Sequence, residues 1–276
     1  EALGITCTAD IGLMSIEYTC YDGEEGFTQS LCLTNTGVNT LKLNRLEHFI
    51  RNFKTEGKHM SGEQLHTFLD NIEKTHGLYS PPALGLAAAI ACCGFTFLLG
   101  GGPIEMFCAF VGAGIGNYLR CKLTKYHFTL FLCIVSSVSL ACFAYAGMLK
   151  LGEILFGISV QHEAGYICAM LFIIPGFPFI TSGIDLAKLD MRSGMERLMY
   201  ALIVILVATM SAWIMALILH LKPVNFMKLS LTMSQWILFR ILASFCGVFG
   251  FSIMFNSSVY IAATAACIGA VANTLR

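Results

Sequence analysis

From Ala83 onward the chain is a succession of apolar runs separated by short polar breaks: Ala83–Leu99, Ile104–Tyr118, Phe128–Met148, Leu151–Val160, Tyr166–Ile184, Leu198–Leu219, Trp236–Phe255 and Val259–Asn273. A helix of about 20 apolar residues crosses the hydrocarbon core of a bilayer. In lipid every backbone N–H and C=O must find its partner within the protein, so runs of this kind fold as helices packed into a bundle. The first two runs are short for a span; Gly100-Gly101-Gly102-Pro103 joins them as a tight hairpin of two helices or as two re-entrant halves. Leu151–Val160 is too short to cross and is expected at the interface. This leaves about seven segments on the 20-residue criterion. The predicted fold class is an α-helical polytopic membrane protein preceded by a small cytoplasmic α+β domain.

Charge supports the division. Charged residues make up 12% of the chain and hydrophobic residues 56%, with a mean hydropathy of +0.72. Ordinary soluble domains carry about 25% charge. A disordered chain, a typical soluble enzyme and a basic nucleic-acid binder are excluded. The formal net charge of zero is made of two opposite parts. Residues 1–80 hold 6 basic and 11 acidic residues, and residues 81–276 hold 11 basic and 6 acidic. The expected organisation is a cytoplasmic α+β domain over 1–80, a first bundle of five segments over 81–220, and the start of a second set over 221–276. The chain opens on Glu1, shows no signal peptide, and ends in an apolar segment, which predicts a fragment of a longer protein. Of the 12 cysteines, Cys92, Cys93, Cys108, Cys133, Cys142, Cys168, Cys246 and Cys267 lie in apolar runs and are expected to act as small packing hydrophobes. Cys121 sits in a basic loop, and Cys7, Cys20 and Cys32 follow no metal spacing.

Within the polar part, Gly4–Ala9, Gly12–Cys20 and Phe27–Thr34 read as strands. Tyr21-Asp22-Gly23-Glu24-Glu25-Gly26 is the turn between the last two. A second break follows at Asn35-Thr36-Gly37-Val38-Asn39. Thr40–Lys54 reads as a helix with Leu43, Leu46, Phe49, Ile50 and Phe53 on one face. Ser61 with Gln64 three residues later is a capping box. The helix it opens carries Leu65, Phe68, Leu69 and Ile72. Pro81-Pro82 closes the unit.

Lysine and arginine bias in short loops sets orientation. The loops holding Arg120, Lys122 and Lys125, and Lys188, Arg192 and Arg197, fall on one side. Lys150, Lys222 and Lys228 fall on the other. The more basic side is read as cytoplasmic, and the N-terminal unit with it.

Recognisable catalytic motifs are missing. Gly57-Lys58 is followed by His59, so no Walker A loop is formed. His162-Glu163-Ala164-Gly165-Tyr166 has Tyr where the zinc H-E-x-x-H pattern has its second His. Ser182-Gly183 near Asp185 forms no nucleophile motif. The informative stretch is Pro175-Gly176-Phe177-Pro178-Phe179-Ile180-Thr181-Ser182-Gly183-Ile184-Asp185. Two prolines three apart remove backbone donors inside a span. Broken membrane helices of this kind form transporter sites. Thr181 and Ser182 add hydroxyls and Asp185 a carboxylate able to change protonation; the alternative is a simple kink followed by an interfacial Asp. Glu105, just after Pro103, is a second carboxylate near an apolar run. It reads either as a proton-binding group or as a first-turn acid complementing the helix dipole. Arg240 is expected to snorkel to the outer interface. Gly85 with Ala89, and Gly112, Gly114 and Gly116, read as helix-packing positions.

These residues carry a resemblance. Gly37-Val38-Asn39 followed by the Leu41–Phe53 helix, the pair Gly101-Gly102, and Pro175-Gly176-Phe177-Pro178 with Asp185, Gly194 and Arg197 resemble the threonine/serine exporter family of membrane proteins. Its partner-dependent bacterial relatives are linked to dicarboxylate (succinate) export. The resemblance implies a cytoplasmic N-terminal domain, five spans, and a further set of about five spans, fused or on a partner chain; this chain would lack the first helix and most of that second set. Relatives tend to carry Asn where this chain has Thr181. The function so implied is a proton-driven secondary transporter in the plasma membrane (bacterial inner membrane) exporting threonine, serine or a similar small polar metabolite. Substrate contacts are expected at Pro175, Gly176, Pro178, Thr181 and Ser182, and proton coupling at Asp185 and Glu105. The expected partners are the small-molecule substrate, protons, the lipid bilayer, and a partner chain or missing second half, with no nucleic acid. No catalytic residues, metal or cofactor are expected. One alternative is a subunit of a dicarboxylate exporter; another is a membrane-embedded sensor with a cytoplasmic ligand-binding domain.

Overall fold

The structure, a computed structural model, describes residues 5–23, 25–33, 37–57, 59–157, 160–222, 226 and 231–275. Gly4, Glu24, Thr34, Asn35, Thr36, Lys58, residues 158–159 and Lys228, which figure in the expectations above, lie outside the described residues. The chain is mostly helical and begins with a small three-stranded sheet. It divides into two compact units: Glu1–Gly77 with Pro175–Leu202, and Leu78–Ile174 with Ile203–Arg276.

In the first unit, β1 (Thr6–Ile11), β2 (Ser15–Asp22) and β3 (Glu25–Cys32) form an antiparallel meander. Its register runs from Thr6 opposite Tyr21 to Ile11 opposite Ile16, and from Ser15 opposite Cys32 to Asp22 opposite Glu25. The expected six-residue turn is therefore shorter. Tyr21, Asp22, Glu25 and Gly26 are all paired, and Gly23, at φ 65°, takes the left-handed bend that glycine allows at no steric cost. β2 starts at Ser15 rather than Gly12, because the Gly12 N–H turns back to the Ser15 carbonyl.

α1 (Thr40–Arg51) is capped by the Asn39 side chain, which accepts from the Lys42 N–H. It stops short of Lys54, and a π-helical turn, Phe53–Gly57, follows. A Cβ at Gly57 would collide with the Phe53 ring, so glycine leaves that ring its place. Phe53 packs edge-on to Phe49 at 5.5 Å, and Phe49 meets Phe68 at 4.5 Å. The apolar face of α1 is narrower than its periodicity suggests: Phe49 and Phe53 are buried, whereas Leu43 and Ile50 are exposed. α2 (Gly62–Glu73) opens on the expected box, with Ser61 Oγ accepting from Gln64 N–H and Gln64 Oε1 from Ser61 N–H.

The second unit contains α3 (Pro81–Leu98), α4 (Pro103–Lys125), α5 (Leu130–Phe156) and the short α6 (Tyr166–Ala169). After α7 (Gly176–Ala187) and the first turns of α8 (Met191–Ile218), which belong to the first unit, it resumes with the rest of α8. It then takes in α9 (Met233–Met254) and α10 (Val259–Thr274). Pro81 and Pro82 are the first residues of α3, where a missing N–H costs nothing, and the first unit's N-terminal stretch ends just before them at Gly77. α3 packs on α4 and α9, α4 on α5, and α9 on α10.

Small residues set these contacts. A Cβ at Gly112 would stand 2.8 Å from the Ala141 carbonyl oxygen, one at Gly116 2.9 Å from that of Ser137, and one at Gly85 2.9 Å from that of Gly114. These are backbone-to-backbone approaches that only glycine permits. Cys92, Cys108, Cys133, Cys142 and Cys168 are buried in this unit, Cys93 and Cys246 are partly buried, and Cys267 is exposed.

Among the described residues, four helices are long and apolar enough to cross a membrane (α3, α5, α8 and α9). The broken pair His162–Ile173 and Gly176–Ala187 makes five. A count of about seven is not reached. α10, at 16 residues, is short for a span, and α4 carries Glu105, Arg120, Lys122 and Lys125 near its ends. The helices also run further than their apolar cores. Arg120, Cys121, Lys122 and Lys125 belong to α4 rather than a loop, Lys150 and Glu153 to α5, and Arg192 and Arg197 to α8. Backbone hydrogen bonding continues past the last apolar residue, because a charged side chain at a helix end reaches sideways to water. The Leu151–Val160 segment is, through Phe156, simply the end of α5, which Gly157 closes at φ 63°.

Candidate functional site

The break falls where the prolines predict. A 3₁₀ turn, Leu171–Ile173, ends at Ile174, and α7 starts with Pro175 as its N-cap and Gly176 as its first residue. Pro178 sits in the first turn. Both prolines thus occupy positions whose N–H groups have no helical partner in any case. On the upstream side the interrupted helix leaves a carbonyl at Phe172, and Arg120 Nη1 donates to it at 3.3 Å. The second unit thus satisfies its own broken backbone with a guanidinium.

Downstream, the hydroxyls expected to meet substrate are engaged within the first unit. Thr181 Oγ1 lies 3.1 Å from the Phe177 carbonyl and 3.2 Å from that of Pro178, so its proton goes back to its own helix. Ser182 is buried, and its Oγ donates to the Gly194 carbonyl at 2.7 Å, tying α7 to α8. Each oxygen keeps acceptor capacity, but neither has a free donor. Gly194 is required at this contact, since a Cβ there would stand 2.7 Å from Leu186 Cγ. One turn on from Ser182, Asp185 Oδ2 pairs with Arg197 Nη1 at 2.7 Å, and both side chains are mostly buried. The turn joining α7 to α8 closes on the same residue, with the Asp190 N–H donating to the Asp185 carbonyl at 2.9 Å. Ser182, Asp185, Gly194 and Arg197 thus form one latch, with Pro175, Gly176 and Pro178 at the other end of α7.

The start of α8 also holds the sheet. Arg192 pairs with Asp10, Ser193 Oγ donates to the Ile11 carbonyl, and Glu196 Oε2 accepts from the Leu13 N–H at 2.6 Å. The first two turns of α8 therefore grip the β1–β2 corner as well as α7.

Glu105 belongs to the second unit and is 1% exposed. Its Oε2 accepts from the Gly102 N–H at 3.0 Å, as a helix-opening acid should. Its Oε1 lies 2.7 Å from Nδ1 of His162, a residue that sequence reasoning passed over. The Tyr145 hydroxyl donates to the His162 carbonyl at 2.5 Å. The only trace of His162 in the sequence was its failed zinc spacing, and among the described residues no three metal-ligating side chains come together. Arg240 turns over the Trp236 ring at 4.7 Å and reaches Asn273, holding α9 to α10. A cavity of about 690 Å³ among α3, α4 and α9 is lined by Phe97, Met106, Phe107, Phe110 and Phe239 with no charged side chain, so it offers nothing to a polar metabolite.

Several apolar helices of spanning length and a broken span define a multi-pass helical membrane protein. Residues 1–220 match the family described as "Putative threonine/serine exporter" (ThrE). The chain belongs to that family. Comparison with curated proteins and with solved structures gives no match.

Proposed function

We propose that the protein exports threonine, serine or a similar small polar metabolite across the plasma membrane and is driven by the proton gradient. Family membership supports the substrate class. The observation that carries the mechanism is the α7 latch: a helix broken at Pro175 whose other end holds a mostly shielded Asp185–Arg197 pair. Broken helices offer free backbone ends to charged groups of a substrate. In this reading the backbone at Pro175, Gly176 and Pro178 and the acceptor oxygens of Thr181 and Ser182 contact substrate. Asp185 and Glu105 are the carboxylates of proton coupling. When Asp185 takes up a proton, Arg197 is released to pair with a substrate carboxylate, which links the two ligands at one guanidinium.

Residues 1–80 are assigned to the cytoplasm, residues 81–220 to a first bundle and residues 221–276 to the opening of a second set of spans. The protein catalyses no covalent chemistry and acts with a partner chain or further spans. The test is flux in proteoliposomes with an imposed pH gradient, using threonine, serine and succinate as substrates. Threonine or serine flux that collapses in Asp185→Asn while the variant folds supports the reading. Undiminished flux in that variant removes Asp185 from coupling, and succinate flux without threonine flux replaces the substrate class.

A further inference from the structure

Glu105 and His162 stand 57 residues apart in sequence and meet inside the second unit. The carboxylate is buried, with 1% of its side chain exposed, whereas the imidazole keeps 11%. A buried carboxylate is tolerated only when paired and hydrogen-bonded. Among the described residues its one ion-pair partner is His162, and the Gly102 N–H at the start of α4 supplies the other contact. Among the described residues no arginine or lysine pairs with it, in contrast to Asp185. When the pair carries one negative charge, the bridging proton sits on Nδ1 of a neutral ring and Oε1 accepts it. One more proton, held by the ring or by the carboxyl, can be added without breaking the contact and brings the pair to neutral.

Among the described residues, the titratable groups that face Glu105 are Tyr145 from α5, Cys108 from α4 itself and Cys168 from α6, and the Glu163 carboxylate follows His162 in the chain. The first three are neutral in their ordinary state, and Glu163 is engaged by the Lys222 N–H. The carboxylate is sealed and the imidazole is the more exposed of the two, so His162 is the member of the pair nearer to water. Gly165 and Tyr145 hold this geometry. A Cβ at Gly165 would collide with the Tyr145 hydroxyl and stand 3.0 Å from Glu105 Cβ, so glycine lets the 160–165 turn close over the carboxylate.

Position along α4 adds the direction. From Glu105 to Lys125 the helix rises about 30 Å, the thickness of a hydrocarbon core. Lys122 and Lys125 mark the basic end, and Glu105 marks the opposite one. Beside it, Glu163 Oε2 accepts from the Lys222 N–H at 2.7 Å, just past the end of α8.

We propose that the buried Glu105–His162 pair is a proton-binding site at the outer mouth of the second unit, with His162 as the relay that loads Glu105. The proposal rests on the exporter reading for its role in flux. During each cycle one proton from the outer aqueous phase binds the pair and is later released inward, in exchange for substrate moving out.

The experiment compares wild type, Glu105→Gln and His162→Gln as full chains in proteoliposomes. Glutamine keeps the acceptor for Gly102 and so preserves the cap. In Glu105→Gln, threonine exchange at equal pH on both sides stays within about twofold while pH-gradient-driven flux falls at least tenfold. In His162→Gln the pH profile of driven flux shifts. Driven flux within twofold of wild type in Glu105→Gln overturns the proposal, as does equal loss of exchange and driven flux in a folded variant. Infrared difference spectra after a pH jump test the pair without any substrate: a protonated-carboxyl band present in wild type and lost in Glu105→Gln is expected. Its presence unchanged in the variant overturns the assignment. If wild type moves no threonine yet the band behaves as expected, the exporter reading fails and the proton site stands.

Discussion

Asp185 on α7 and Arg197 on α8 are joined at 2.7 Å across a turn that also closes on the Asp185 carbonyl. The pair is mostly shielded, so removing one partner leaves the other poorly solvated. Arg197→Ala should cost about 1–3 kcal/mol of stability. The exchanged double variant, Asp185→Arg with Arg197→Asp, should recover much of it. Thermal unfolding of the purified protein in detergent measures both; independent, additive effects of the two changes would show that the contact contributes nothing.

The other contact between α7 and α8 is one of close approach. Ser182→Ala removes a buried hydrogen bond to the Gly194 carbonyl, a loss of about 1 kcal/mol. Gly194→Ala pushes a methyl group into Leu186 and should cost about 1–3 kcal/mol. Combined with Leu186→Ala, which makes room, it should cost less than the sum. An additive outcome in the same melting experiment would place the strain elsewhere.

In the second unit, Gly112→Ala and Gly116→Ala each force apart α4 and α5, at about 1–3 kcal/mol. Gly147→Ala on α5, where a Cβ meets nothing within 4 Å, is the control and should be neutral or slightly stabilising. Resistance to unfolding by increasing detergent strength should fall in Gly112→Ala and Gly116→Ala and stay at the wild-type level or above in Gly147→Ala.

Cys7 and Cys20 face each other across β1 and β2, with sulfurs 3.1 Å apart. The shared hydrogen bond holds the Cys20 thiol above its ordinary pKa, so it reacts sluggishly near neutrality and faster as pH rises. A mild oxidant should then form an intrachain bridge, visible as loss of two maleimide-reactive thiols. Cys20→Ser should abolish it without changing the labelling of Cys267, and bridging that persists in that variant would contradict the register.

The parts legible in sequence were those set by neighbours in the chain. The Ser61–Gln64 box, the prolines opening α7 and the glycines of α4 are local chemistry, and each stands as read. Helix ends were misjudged at Lys150 and at Arg120–Lys125 because apolarity tracks the bilayer while hydrogen bonding tracks the backbone. The partners of the acidic residues were hidden for another reason. Asp185 with Arg197 and Glu105 with His162 are pairings between elements, and only the folded chain shows which counter-charge each carboxylate receives. Family resemblance pointed to Asp185 and Arg197 but gave no hint of His162.

The prolines of α7 have a last consequence. If α7 were to merge with the turn before it into one continuous rod, the Pro178 ring would strike the Ile174 carbonyl and Pro175 that of Leu171. The discontinuity is thus written into covalent structure. Any rearrangement that drew this segment into a single straight helix would have to overcome about 3 kcal/mol or more at each ring.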